Sequence, residues 1–200
     1  MVSPIVIDVI MHPYEERNIE FKTSTPWNDK SFKAKIAKSI LGMANIRDGG
    51  WIVIGKVRQP DDTHEAVGMT QTDYESYSSD LLKDFVKNYA APHVEISLEK
   101  PEYAQKKFVV IRVEEFDDVP VICKKDCGDV LHQGRIYTRS HGKPETIEVP
   151  SYPEMREIIT MATEKEIRHF YERISRSGAT VKPIKPDDKE SFDKQLGGLI

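Results

Sequence analysis

The segment Met43-Ala44-Asn45-Ile46-Arg47-Asp48-Gly49-Gly50-Trp51-Ile52-Val53-Ile54-Gly55 joins the end of a predicted helix to a predicted strand. Its Asp48-Gly49-Gly50 portion consists of residues that tolerate positive φ, and such residues commonly follow the last turn of a helix. Trp51-Ile52-Val53-Ile54 is apolar throughout, which is typical of a strand buried within a sheet. The segment therefore predicts a sheet with a helix packed on it.

The residues before this segment predict another strand and the start of the helix. Asn18-Ile19-Glu20-Phe21-Lys22 alternates apolar with charged residues, so its two apolar side chains should face the core while Glu20 and Lys22 share the other face. Asn28 or Asp29 can cap the helix that follows, whose apolar residues recur at helical spacing up to about residue 45.

The rest of the chain predicts further strands and two further helices. Capping boxes at 72–75 and 151–154 each open a helix. Strands are predicted at 5–11, 94–98, 108–113, 119–123 and 134–138. The predicted fold class is α+β (mixed α/β), with a central mixed sheet, flanking helices and a long C-terminal helix. Residues 1–175 are expected to form one domain and residues 176–200 a flexible polar tail.

Composition narrows the class of protein. The chain has 200 residues, a net charge of -4 and 31% charged residues. No apolar run approaches the ~20 residues of a membrane-spanning helix, so no membrane association is expected. Two cysteines are too few for a disulfide scaffold, which favours a reducing, cytoplasmic location.

The net charge hides a strong segregation along the chain. Residues 22–58 carry a net charge of +6, residues 61–118 carry -8, and residues 119–143 return to +3. Basic segments on an acidic chain can attract polyanions locally, although charge alone is more often a sign of solvated surface.

Two motif matches carry no chemistry. Gly50-Trp51-Ile52-Val53-Ile54-Gly55-Lys56 has the spacing of a phosphate-binding loop, but its apolar interior predicts a strand, and Val57 stands where that motif needs Ser or Thr. No nucleotide cofactor is therefore expected. Cys123 and Cys127 lack the C-x2-C spacing and the four ligands of a closed zinc site.

The acidic residues near the N-terminus are the stronger candidates for chemistry. Glu15 and Glu20 lie five residues apart, and Glu20 shares a strand face with Lys22. Paired carboxylates can hold Mg²⁺ or Mn²⁺, and such an ion can activate water for phosphodiester cleavage. Without further context, two glutamates in a polar stretch are more often ordinary surface residues.

Three stretches together resemble the AlbA-like domain of the Schlafen family. Residues 15–22 resemble its E-x4-E-F-K opening, residues 43–55 its F-A-N-T-x-G-G-x4-G signature, and residues 134–140 its closing G-x-I-Y-x-R strand. The resemblance covers about residues 12–165, in the family's order. It implies a Schlafen/AlbA-like core that handles DNA or RNA, and it implies that a single-domain chain can form a homodimer.

The resemblance also implies a metal site, which this sequence matches in part. Family nucleases have two glutamates, matched here by Glu15 and Glu20, and an aspartate just after the Gly-Gly strand. Val57 or Arg58 occupies that third position, so Asp61 or Asp62 would have to complete the site. Two carboxylates hold a metal more weakly than three.

Three functions follow from these observations. The first is nucleic-acid binding through a weakly sequence-specific basic face made of Lys33, Lys35, Lys38, Arg58, Arg135, Arg139 and Lys143. The second is a Mg- or Mn-dependent endoribonuclease in which Glu15, Glu20 and Asp61 or Asp62 hold the ion and Lys22 stabilises the transition state. The third is a protein-interaction module that joins a larger complex through the C-terminal tail.

Overall fold

The computed structural model describes residues 2–149 and 151–178. Five helices lie in this part of the chain: α1 (Pro4–Met11), α2 (Lys30–Ala44), α3 (Gln71–Glu75), α4 (Ser79–Lys87) and α5 (Tyr152–Ser177). Twelve strands lie among them: β1 (Ile19–Lys22), β2 (Gly50–Ile54), β3 (Lys56–Arg58), β4 (His64–Ala66), β5 (Ala90–Ala91), β6 (Ile96–Glu99), β7 (Glu102–Tyr103), β8 (Lys106–Lys107), β9 (Val109–Val113), β10 (Ile122–Cys123), β11 (Tyr137–Arg139) and β12 (Thr146–Glu148).

A four-stranded mixed sheet with the order β1-β2-β9-β6 forms the centre of the fold. Strand β1 runs parallel to β2, and β9 runs antiparallel to both β2 and β6. A parallel connection needs a crossover, and α2 supplies it between β1 and β2. The predicted α+β class and the central mixed sheet are confirmed.

Helices cover both faces of this sheet. One face packs Ile52, Ile54 and Ile111 against α2 in the larger hydrophobic core. The other face packs Phe21 and Val53 against α1 in a second, smaller core. Because both faces are covered, β2 can be apolar throughout, as its sequence predicted.

The double cover corrects one expectation about β1. Glu20 pairs in register with Ile52 and therefore points to the α2 side of the sheet. It is only 5% exposed, whereas its alternating pattern predicted a solvated face. Alternation of apolar and polar residues shows which side chains share a face of a strand. It does not show that a helix covers the polar face.

Two other element predictions differ from the structure. The 5–11 run forms α1 and not a strand, because Pro4 starts the helix and Val6, Val9 and Ile10 fall on one buried face at helical spacing. The predicted helix from 72–75 is two helices, α3 and α4, capped separately by the side chains of Thr70 and Ser78. Of the two predicted caps of α2, Asn28 and Asp29, the structure has Asp29, which accepts a hydrogen bond from the Phe32 amide.

Chain contacts divide the protein into two units, residues 1–163 and 164–200. The sheet and both cores belong to the first unit, and the C-terminal half of α5 belongs to the second. Of the predicted tail at 176–200, residues 179–200 lie outside the described part of the chain. No helix among the described residues combines the length and hydrophobicity needed to cross a bilayer.

Lys56 fastens α1 to the sheet. Its side chain is 1% exposed, and its ammonium donates hydrogen bonds to the carbonyl oxygens of Ile10, at 2.9 Å, and of His12. It also lies 3.9 Å from the centre of the Phe21 ring, close enough for a cation–π contact. The segment that has the spacing of a phosphate-binding loop is therefore no such loop. Its residues 50–54 form strand β2, and its lysine, Lys56, caps the C-terminus of α1.

We predict that Gly49→Ala destabilises the fold by about 2–4 kcal/mol. Gly49 has a φ of +63°, and a Cβ there would lie 2.0 Å from the Val113 carbonyl oxygen, so the substitution adds a backbone clash to the left-handed strain. The matched control is Gly128→Ala, where φ is +53° and a Cβ would meet nothing within 4 Å. Urea unfolding should show a much smaller loss for the control. Equal losses would contradict the close approach of β2 and β9.

Burial lowers the pKa of Lys56 to about 8, which gives stability a defined pH dependence. Above this value the folded protein releases the proton, while the unfolded chain keeps it up to an ordinary lysine pKa near ~10.4. The free energy of unfolding should therefore rise between about pH 8 and 9.5, by on the order of 1–2 kcal/mol. Lys56→Met should be less stable overall and lack this rise. Urea unfolding at several pH values measures this dependence. If the free energy of unfolding changed with pH equally in the wild type and in Lys56→Met, Lys56 would not be the group responsible.

Candidate nucleic-acid interface

The E-x4-E-F-K segment folds back on itself at the start of β1. The backbones of Glu16 and Ile19 exchange two hydrogen bonds, of 3.0 and 3.1 Å, which closes a tight turn. The Oε1 atom of Glu15 then accepts a 2.8 Å hydrogen bond from the amide of Phe21. Strand β1 lies at the edge of the sheet, so no neighbouring strand accepts a hydrogen bond from the Phe21 amide. The carboxylate of Glu15 accepts this bond instead.

Glu20 forms a buried ion pair with Arg139 at the end of β11. The Oε2 atom of Glu20 lies 2.7 Å from Nη1 of Arg139, and the two side chains are 7% and 1% exposed. The Oε1 atom of Glu20 accepts a 2.8 Å hydrogen bond from the Ser39 hydroxyl of α2, and it also contacts the ammonium of Lys22. Both carboxylate oxygens of Glu20 are thus engaged by donors of the protein.

All three nitrogens of the Arg139 guanidinium donate to groups of the fold. Nε donates to the Arg17 carbonyl at 2.9 Å, and Nη2 donates to the carbonyls of Glu16 and Pro144 at 3.1 and 3.0 Å. Nη1 adds a 3.2 Å bond to the Thr146 hydroxyl beside its bond to Glu20. Burial lowers the pKa of Arg139, and the charge of Glu20 opposes that effect. Arg139 therefore serves the fold and offers no free face to a phosphate.

Two clefts meet beside this ion pair. The first, of about 210 Å³, is called here the lysine cleft and is lined by Glu15, Glu20, Lys22, Lys35, Lys38 and Glu145. The second, of about 500 Å³, is called the histidine cleft and is lined by Tyr14, Glu15, Arg58, His64, Lys143 and Glu145. Glu15 and Glu145 line both clefts, so the two form one continuous surface.

Six of the eight predicted site cations line these clefts, and two lie elsewhere. Arg139 is one of the six, but the fold holds its guanidinium, and the other five are called the cleft cations. The cleft cations are Lys22, Lys35, Lys38, Arg58 and Lys143. Lys33 instead lies over the rings of Trp27 and Phe85, 5.4 and 5.6 Å from their centres. Arg135 is exposed and lies 3.5 Å from a carboxylate oxygen of Glu148.

The predicted carboxylate triad is not assembled in the structure. Asp61 turns back on its own loop, accepting hydrogen bonds from the amide and hydroxyl of Thr63, which lower its pKa. Asp62 lines the histidine cleft but pairs with Arg58 at 2.7 Å. Around the two clefts, the described residues contain no group of three acidic, His or Cys side chains with ligand atoms within 4.8 Å of one another. A metal would have to displace the donors that now hold Glu20.

Three further residues line the histidine cleft without having been predicted from the sequence: Tyr14, His64 and Glu145. His64 pairs with Arg58 across the β3–β4 hairpin, so both side chains lie on the same face. The turn residues Pro60, Asp61 and Asp62, between two short extended segments, were the signal for this hairpin. Tyr14 and Glu145 carry no motif and reach the cleft only through tertiary packing.

Comparison with known proteins identifies the family. The model of the Schlafen AlbA_2 family matches residues 15–148, which is more than half of the chain. The chain therefore belongs to this family, as its motifs predicted. A search of curated proteins found no match.

Two solved structures are similar to this chain. One is the DIP2311 protein from Corynebacterium diphtheriae, at 13% identity and a TM-score of 0.46, covering 70% of this chain and 23% of that chain. The other is the N-terminal domain of a RecG-related protein from Nitrosomonas europaea, at 17% identity and a TM-score of 0.39, covering 69% of this chain and 89% of that chain. This chain thus matches less than a quarter of the length of the first structure.

We predict that breaking the Glu20–Arg139 pair costs about 3–5 kcal/mol of stability, since either single substitution leaves a buried charge uncompensated. Glu20→Gln and Arg139→Met should each show this loss, and the double variant should lose less than the sum of the two. The matched control is the Arg58–Asp62 pair, which is 68% and 72% exposed and should couple by about 0–1 kcal/mol. Urea denaturation of both double-mutant cycles provides the test. Additive losses at Glu20 and Arg139 would contradict a coupled pair.

Proposed function

We propose that this Schlafen AlbA_2-family chain binds nucleic acid through the surface that the lysine and histidine clefts form together. The observation that carries the proposal is the gathering of the five cleft cations, which come from separate segments of the chain, around one continuous depression.

The electrostatics of the surface support a polyanion as its partner. Lys35 and Lys38 lie one helical turn apart on α2 and both line the lysine cleft. Arg58 and Lys143 are exposed at the histidine cleft, where three carboxylates also lie, so the excess of positive charge is in the lysine cleft. Arg139 neutralises Glu20 internally, so that carboxylate contributes little repulsion to an approaching phosphate.

Such a surface should bind without strong sequence preference. Lysine and arginine side chains that meet phosphates position a strand but do not read its bases. Binding of this kind releases counterions, so affinity falls steeply with salt. An acidic chain with a local basic surface should bind at that surface and not indiscriminately.

Metal-dependent RNA cleavage remains a second candidate, favoured by the position of Glu15 and Glu20 along one cleft. The structural role of Glu20 changes how that candidate must be tested. A Glu20 variant can lose activity simply because Arg139 is left unpaired, so each variant needs a stability measurement beside any cleavage assay. The predicted homodimer and the predicted partner complex through the C-terminal tail both stay predictions.

We predict that Lys35→Ala/Lys38→Ala weakens binding of a single-stranded RNA of about 20 nucleotides roughly tenfold at 0.1 M salt. Removing two phosphate contacts should also reduce the slope of log K against log salt by about 1.4. Fluorescence anisotropy between about 50 and 200 mM salt measures both quantities. Single-stranded and duplex DNA of the same sequence, measured in parallel, reveal which nucleic acid is preferred.

The matched control is Lys83→Ala/Lys87→Ala, which removes two exposed lysines from α4, away from both clefts. It changes the net charge equally and should leave the affinity and the salt slope nearly unchanged. If both double variants weakened RNA binding equally, the effect would be one of net charge, and the proposed surface would be wrong.

A further inference from the structure

The histidine cleft has features that the binding of a polyanion does not use. Its volume of about 500 Å³ lies within the range of small-molecule sites, about 300–1,000 Å³. It is lined by cations, carboxylates, an imidazole and an exposed tyrosine. A surface that serves only to attract phosphates needs the cations and nothing else.

Hydrogen bonds and strand pairing fix the three segments that form this cleft. The amide of His64 donates a 2.7 Å bond to the Pro13 carbonyl, which ties β4 to the segment carrying Tyr14. The cross-strand pairing of Arg58 with His64 fixes the hairpin wall. The third segment is held at Pro144, whose carbonyl accepts from the buried Arg139 at 3.0 Å. The cleft is therefore preformed.

His64 occupies a distinctive position in this cleft. Its ring packs against Phe21, with centroids 5.0 Å apart, and its Nδ1 atom is buried without a hydrogen-bond partner among the described residues. A buried unpaired acceptor is tolerated better than a buried unpaired N–H, so the ring proton belongs on Nε2. Burial lowers the pKa of His64; nearby Lys56 and Arg58 lower it further, while Glu15 opposes them. The imidazole is thus neutral near pH 7 and has one N–H to donate.

We propose that the histidine cleft binds a single ribonucleotide. Arg58, Lys143 and the Nε2–H of His64 hold the phosphate, the exposed ring of Tyr14 stacks on the base, and a carboxylate accepts from the ribose hydroxyls. Tyr14 is 52% exposed, and aromatic rings of this kind stack on unpaired bases. Acidic side chains serve as ribose partners in other nucleotide sites, and Glu145 is exposed at this cleft.

The mixture of charges favours a nucleotide over a bare anion. Glu15, Glu145 and Asp62 line the same cleft and repel an isolated phosphate. They become hydrogen-bond acceptors once a ribose stands beside them. The ribonucleotide can be a free monophosphate or one unit of an RNA strand, because both present the same phosphate, ribose and base.

Isothermal titration with adenosine, guanosine, cytidine and uridine 5′-monophosphates tests the proposal on the full chain. At least one should bind with a dissociation constant of about 1 mM or tighter, and at least fivefold more tightly than inorganic phosphate. The corresponding deoxynucleotide should bind more weakly, because it lacks the 2′-hydroxyl. Phosphate that binds as tightly as every monophosphate, or no binding by any of them, would overturn the proposal.

Two substitutions separate this site from a general anion surface. His64→Phe keeps the ring against Phe21 and removes the N–H, so it should weaken monophosphate binding about fivefold or more, and His64→Gln should restore part of the affinity. Tyr14→Ala should weaken binding similarly, whereas Tyr152→Ala, which removes another exposed tyrosine, should not. Unchanged affinity in both His64→Phe and Tyr14→Ala would also overturn the proposal.

The Lys35→Ala/Lys38→Ala variant distinguishes this site from the lysine-cleft part of the nucleic-acid surface. Its monophosphate affinity should equal that of the wild type even though its RNA affinity falls. Competition between monophosphate and labelled RNA shows whether a strand places a nucleotide in the cleft. Monophosphate binding without RNA binding would reject the proposed function and support this site. RNA binding without monophosphate binding would support the proposed function and reject this site.

Discussion

The buried ion pair between Glu20 and Arg139 joins parts of the chain that are 119 residues apart in sequence. Glu20 lies on edge strand β1, and Arg139 ends β11 in a hairpin outside the main sheet. Through Ser39 the pair also reaches α2, and through Pro144 it reaches the turn that forms one wall of both clefts. The charges gain little over an apolar pair of equal size, but each requires the other, so they specify one arrangement of these elements.

This constraint gives the family's motif residues a structural meaning. Glu15 and Glu20 belong to the same short segment, yet Glu15 pairs with a backbone amide at a strand edge while Glu20 is paired inside the fold. The final arginine of the G-x-I-Y-x-R strand is the partner of the second glutamate of the opening motif. Motifs at opposite ends of the domain therefore form one hydrogen-bonded unit, and a change in either disturbs the clefts beside it.

Much of the fold was predictable from local pattern. The Gly-Gly junction, the apolar strand β2 and the Asp29 cap all follow from short-range chemistry. The errors arose where tertiary context decided the outcome. The 5–11 run is apolar enough for either a strand or a helix, and its helical state depends on burying one face against Phe21 and Val53. Glu20 was predicted to be solvated because nothing in its own segment shows that α2 covers it.

The site was less predictable than the fold, since its residues combine through packing and not through spacing. Charge clustering found Lys35, Lys38, Arg58 and Lys143, but it equally selected Arg139, whose charge is used internally, and Lys33, which lines neither cleft. The sequence shows that a residue carries a charge. It does not show whether an opposite charge or a hydrogen-bond acceptor within the fold already pairs with that residue. The cations that remain exposed stand around clefts fixed by the buried pair. Arg139 therefore acts on the clefts through the Pro144 carbonyl, which it holds next to Lys143, and not through a free charge of its own.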